Sequence, residues 1–178
     1  NRTLLYFVRR QWTQILGLGL TFTVLLLAGC DGGESDGKPV VVTTTTHVTD
    51  MVRFVAGDRL NVIALMGPGV DPHLYKPSAG DAATLAKADL IFFSGLMLEG
   101  RMADVFAKVS RRGTKAYAVT ENVSEELLLE PEEFEGHWDP HVWFDPVIWS
   151  KCIDVVSNAL AENDPEGKAG YTERAEAL

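Results

Sequence analysis

The chain has 178 residues, 46% of them apolar and 23% charged, a composition that excludes disorder, collagen and low-complexity structure and leaves room for one domain of average size. Its 16 Lys/Arg and 25 Asp/Glu give a net charge of −9; Arg2, Arg9 and Arg10 fall in residues 1–29 with no acid beside them, so the remainder holds 13 basic against 25 acidic residues, or −12. So acidic a body, with no basic cluster interleaved with aromatics, repels phosphate backbones and excludes nucleic acid as a partner.

The three arginines precede an uncharged stretch whose apolar heart, Ile15 to Ala28, is 14 residues long and ends in the small pair Ala28-Gly29. That is the layout of a secretory signal. A membrane-spanning helix is the competing reading, since Gln11 to Cys30 offers 20 residues without a charge, but Gln11, Thr13, Gln14, Thr21 and Thr23 weaken it. The tetrapeptide Leu27-Ala28-Gly29-Cys30 resembles the lipobox of bacterial lipoproteins, in which the cysteine is acylated and becomes the first mature residue. The resemblance implies a signal peptide over 1–29, a lipid site at Cys30, and a body working outside the cytoplasmic membrane, tied to its outer face by acyl chains. Asp31 looks like the inner-membrane retention signal of Gram-negative lipoproteins. Cys152, left without a partner, reads as a buried small hydrophobe.

Residues 30–38 are glycine-rich and polar, the composition of a flexible tether. The folded body begins at Pro39. Short apolar runs of strand length follow at Val40–Thr45, Asn61–Met66, Ala88–Phe93 and Lys115–Val119. Helical segments lie between them at Asp50–Ala56, at Ser78–Ala88 behind a cap-like serine, and at Arg101–Arg111. The alternation predicts an α/β fold, a parallel β-sheet flanked by helices, with ligands outside the carboxyl ends of the strands. From Val119 to Asp139 seven glutamates crowd a segment that also holds Pro131 and Gly136, which reads as a solvated loop with short local structure around Leu127–Leu129. Asp145-Pro146 then opens a helix with an apolar stripe through Val147, Ile148, Cys152, Ile153, Val155, Val156 and Leu160. Asp164-Pro165 reads as a second N-cap and first turn, and 166–178 continues as a polar helix without a stop signal. With Asn1 at the other end instead of methionine, both ends read as cut, so the chain is expected to be a fragment.

Four histidines are present, and two share a context. His73 and His141 each close an Asp-Pro-His tripeptide, Asp71-Pro72-His73 and Asp139-Pro140-His141. Proline stiffens the backbone and removes a donor, so the imidazole that follows leaves the loop in a preset direction. The aspartate two residues earlier can accept a hydrogen bond from the local backbone or orient the ring. Neutral imidazole is the commonest protein ligand of zinc and also takes manganese, iron and copper. Spacing alone leaves the alternative that both tripeptides are plain turns. His137 lies four residues before His141, but Pro140 argues against a helix that would align them. His47, at a predicted strand end, sits where a site belongs, although a structural or capping role competes. No nucleophile elbow, phosphate loop or His-Glu-x-x-His pair is present.

Taken together, the lipobox, VVTTTTHVTDMV, GPGVDPHLYKPSAGD, ADLIFFSGLMLEGRMADVF and DPHVWFDPVIW resemble the metal-binding lipoproteins that feed zinc and manganese ABC importers. The resemblance covers nearly all of residues 27–178 and implies that His73 and His141 are metal ligands from the amino-terminal lobe of a two-lobed protein. It implies that 39–162 is that lobe and that 163–178 begins the interlobe helix. The carboxy-terminal lobe, with two further ligands, would lie beyond this sequence. Asp71, Asp139, His47 and His137 are then accessory groups. Ser94, where the family usually has asparagine, and His47, where it often has an apolar residue, depart from the pattern.

The function so implied is an extracytoplasmic solute-binding lipoprotein that captures a divalent metal and passes it to the permease of an ABC importer. Its cargo is Mn²⁺ or Zn²⁺, with Fe²⁺ behind. The short acidic loop before the second Asp-Pro-His lacks the His-rich insertion frequent in zinc-delivering relatives. Two rivals stand beside this reading. A metal-dependent hydrolase would need a general base such as Glu99 or Asp145. An adhesion or scaffold lipoprotein would use the metal structurally.

Overall fold

In a computed structural model, residues 37–134 and 136–178 are described. The signal segment, Cys30 and most of the tether lie outside those residues. Four short strands, β1 (Val40–Thr43), β2 (Asn61–Ala64), β3 (Leu90–Phe93) and β4 (Lys115–Ala118), form one sheet in the order β2-β1-β3-β4. Every pairing is parallel, with Val41 opposite Val62 on one side and Leu90 on the other, and Ile91 opposite Ala116. The predicted α/β class and all four strands are thus found, β1, β2 and β4 trimmed at the carboxyl end and β3 at its amino end.

The sheet is covered on both faces, as parallel sheets require. Because successive strand residues point to opposite faces, Val41, Leu90 and Phe92 enter one core, with α1 (Thr46–Ala56), α4 (Pro146–Asn163) and α5 (Lys168–Glu176). Val42 and Ile91 enter the other, with Leu85 of α2 (Ala79–Leu85) and Phe106 and Val109 of α3 (Ala103–Ser110). Val41, Val42, Ile91 and Phe92 are fully buried, which is why these strands read as continuous apolar runs and not as alternating ones.

Helix starts follow local chemistry. Ser78 and Asp81 make a reciprocal capping box at α2, and Asp145 Oδ1 accepts from the amides of Val147 and Ile148 at α4, with Pro146 in the first turn. α1 departs from its sequence reading: it begins at Thr46, behind Thr45 as cap, and not at Asp50. Its first turn, Thr46-His47-Val48-Thr49, is rich in β-branched residues that favour strands, so the pattern hid the helix start. His47 consequently lies in a helix and not at a strand end. The segment 119–139 is a largely exposed loop with single 3-10 turns at Glu125–Leu127 and Glu132–Phe134. Cys152 is buried, its thiol pushed up to about 12 by that burial, and it behaves as the expected small hydrophobe.

The second predicted helix start is found at Asp164-Pro165, with one correction. Asp164 does not cap the following turn with its side chain; Pro165–Gly167 is a 3-10 turn and α5 begins at Lys168. The Asp164 carboxylate instead takes Arg59 in a two-pronged contact, Nε to Oδ2 at 2.7 Å and Nη2 to Oδ1 at 2.9 Å, and accepts the Tyr171 hydroxyl. Tyr171 is fully buried and Arg174 donates to the carbonyls of Val55 and Ala56, closing the carboxyl end of α1. Among the described residues no helix is long and apolar enough to cross a membrane.

The hydrogen bonds from Arg59 and then Tyr171 hold the Asp164 carboxyl at about 2. Its folded value lies below the ~3.9 of an unfolded aspartate, so the stabilisation is complete above about pH 4 and is lost as pH falls towards 2. Arg59 is 44% exposed, so water screens the pair and the effect is small. Asp164→Asn is expected to lower the melting temperature at pH 7 by about 4 °C or less and to flatten its decline between pH 4 and 2, read by circular dichroism.

Candidate metal centre

Parallel strands deliver all their outgoing loops to one edge, and the chain leaves central β1 and β3 towards opposite neighbours, opening a crevice between them. The floor of this edge is polar and buried. Glu99 is only 4% exposed; its Oε1 accepts from Thr44 Oγ1 at 2.6 Å and from the Ser94 amide at 2.8 Å, and its Oε2 accepts from the Gly95 amide at 3.3 Å. These bonds fasten the end of β1 to the turn after β3. That turn is strained: Gly95, Leu96 and Met97 all have positive φ, at 90°, 48° and 64°. Gly95 is required there, since a Cβ would collide with Thr120 Oγ1 and crowd Ala118. Ser94 joins the clamp through its own hydroxyl, 3.3 Å from Thr45 Oγ1.

Above this floor the loops after β2 and β4 carry the two Asp-Pro-His segments, and they bring His73 and His141 together across 68 positions of sequence. The two Nε2 atoms stand 3.2 Å apart. In each tripeptide the aspartate folds back as expected: Asp71 Oδ1 accepts the His73 amide at 2.9 Å and Asp139 Oδ1 accepts the His141 amide at 2.9 Å. Asp139 does more, because its Oδ1 also lies 2.6 Å from His141 Nδ1. Burial would raise the Asp139 carboxyl, but the bonds from the His141 amide and ring outweigh it and hold the carboxyl below the usual range. An ionised oxygen only accepts, so His141 Nδ1–H donates to it, and Nε2 is the ring nitrogen turned towards His73.

The spacing suits a metal ion. Two nitrogens each ~2.0–2.1 Å from a tetrahedral zinc lie about 3.3 Å apart. A cation between the rings would therefore replace the present Nε2···Nε2 hydrogen bond with little movement of either ring. Among the described residues no group of three or more His, Cys, Asp or Glu side chains is placed to hold a metal; the facing nitrogens are those of His73 and His141 alone.

The accessory residues divide. His137 is exposed in the acidic loop with its amide on the Phe134 carbonyl, and it is Phe134, not His137, whose ring lies near His141, at 6.3 Å. His47 reaches the neighbourhood through Trp143, against which it stacks at 4.7 Å and 18°; Trp143 in turn meets His141 edge-on at 5.2 Å and 69°. Trp143 and Phe134 were missed by the sequence reading. Trp143 follows His141 by two residues in an apolar run, and that adjacency was the available signal. The two bases named for a hydrolase have other occupations: Glu99 is buried in the clamp and Asp145 caps α4.

Residues 41–178 match the family model described as zinc-uptake complex component A, periplasmic (ZnuA). The chain is 42% identical over 166 residues to the zinc-binding protein TroA of Treponema pallidum, covering 92% of this chain and 52% of that protein. It is 36% identical over 167 residues to the manganese-binding lipoprotein MntA of Bacillus subtilis, covering 91% and 54%. The solved periplasmic zinc-binding protein TroA from Treponema pallidum superposes with a TM-score of 0.75 at 42% identity, over 79% of this chain and 50% of that one. The chain thus spans about half the length of the curated relatives it matches.

The floor of the site makes its own prediction. Glu99→Ala leaves Thr44 Oγ1 and two amides without their acceptor and is expected to cost about 3 kcal/mol in urea unfolding, whereas Glu99→Gln, which keeps one acceptor oxygen, costs about 1 kcal/mol. Equal, near-zero losses would show that the clamp does not hold the turn.

Proposed function

We infer the function from one premise: the chain belongs to the zinc-uptake complex component A family. On that premise we read it as the amino-terminal lobe of an extracytoplasmic solute-binding lipoprotein, which captures Mn²⁺ or Zn²⁺ and hands it to the permease of an ABC importer. The observation that carries this reading is the facing pair of imidazole nitrogens, 3.2 Å apart, with His141 locked through Asp139.

His73 and His141 are, in this reading, two ligands of the cargo ion. Residues 39–162 form the lobe, 163–178 begin the helix towards a second lobe, and that lobe supplies the remaining ligands. Cys30 carries the acyl anchor that holds the protein at the outer face of the cytoplasmic membrane. No bond is made or broken, and the occupations of Glu99 and Asp145 support a carrier over a hydrolase. The fold closes without the histidine pair, since both cores are apolar and His73 is exposed, which supports a transported ion over a structural one. One relative is named for zinc and another for manganese, and imidazole with oxygen donors accepts both. The net charge of the body favours the approach of a cation.

Elemental analysis of the full-length protein from its native membrane is expected to find stoichiometric manganese or zinc, lost in a His73→Ala/His141→Ala variant of unchanged fold. Metal retained by the variant would remove the pair from the site. In calorimetry, Asp139→Ala is expected to weaken metal affinity about ten- to a hundredfold, because it frees the ring as well as the backbone, and Asp71→Ala to weaken it less.

A further inference from the structure

Asp139 holds the His141 ring at one atom, Nδ1, and a ring pinned at one atom still tilts about that bond. A second surface is needed to set its plane. Trp143 provides one, meeting His141 edge-on with centroids 5.2 Å apart at 69°. Trp143 belongs to the short 3-10 turn Val142–Phe144 and is itself partly exposed, with Phe144 beside it in solvent. What lies flat against it is His47, with centroids 4.7 Å apart at 18°. His47 stands in the first turn of α1, where the neighbouring Val48, Met51 and Val52 are anchored in the core. A continuous path of contacts therefore runs from a rooted helix through His47 and Trp143 to His141. His47 and Trp143 also wall a recess with Met66, Gly67 and Pro72, the stretch that leads into His73. The stack thus sits between the loops that carry the two histidines.

We propose that His47 is a positioning residue of the metal centre: its ring backs Trp143, and Trp143 fixes the plane of the His141 imidazole. The proposal rests on the reading of His73 and His141 as ligands. The face of the His47 ring, not its nitrogens, carries the role, so another flat side chain should serve. His47 is exposed, so its replacement is expected to leave the fold intact.

The test uses the full-length protein loaded with Co²⁺, whose visible absorption reports ligand angles at a tetrahedral site, and follows metal release into EDTA. His47→Ala is expected to release cobalt about three- to tenfold faster, with an altered visible band and an unchanged melting temperature. His47→Phe is expected to restore both the rate and the band. Parental release and spectrum in His47→Ala, or failure of His47→Phe to restore them, would overturn the proposal. So would an equal loss of melting temperature in both variants, which would make the residue merely structural. A parent that takes up no cobalt, or a His141→Ala variant that binds it as the parent does, would remove the ligand assignment itself and the stack's role with it, and is read separately from the His47 variants.

Discussion

All-parallel pairing around a central β1 is the constraint from which the rest of the molecule follows. Parallel strands cannot be joined by tight hairpins, so each is followed by a helix or long loop that carries the chain back, and every outgoing loop emerges at the same edge. His73 leaves after β2 and His141 after β4, at the two outer positions of the sheet. They meet because their loops lean inward over the crevice beside β1. Below them the buried Glu99 carboxyl group ties Thr44 to Ser94 and Gly95, so the crevice has a rigid floor with satisfied donors. Among the described residues no buried side-chain polar atom is left without a partner.

The two Asp-Pro-His segments use one local device with unequal outcomes. Asp71 accepts the backbone amide of its histidine, and His73 remains exposed. Asp139 holds backbone and ring alike, and His141 is flanked by Trp143 and Phe134. One imidazole is thus set in direction, while the other keeps the freedom of an exposed side chain.

Away from the site, the carboxy-terminal segment is fastened to the body by polar contacts and by the buried ring of Tyr171. Asp164 gathers Arg59 and the buried Tyr171, and Arg174 closes the end of α1. α5 is polar over most of its surface, which is why its sequence alone gives little sign of where it packs.

Much of the fold was legible from residues in isolation. Fully buried parallel strands are apolar on both faces, so Val40–Val42 and Leu90–Phe93 stood out as runs, and Ser78 and Asp145 marked helix starts because capping is local chemistry. Reading α1 failed where β-branched residues open a helix, and Asp164 holds the expected N-cap position while its side chain turns to Arg59 and Tyr171, partners invisible to a local pattern. The two Asp-Pro-His tripeptides announced stiff, directed imidazoles, since the proline and the aspartate act within three residues. Only the tertiary structure decided that those imidazoles face each other at 3.2 Å, that Trp143 and His47 back one of them, and that His137 does not join them. Those facts depend on strand order and on loops meeting across 68 residues, and a linear pattern carries no information about which distant loops the sheet will bring to one edge.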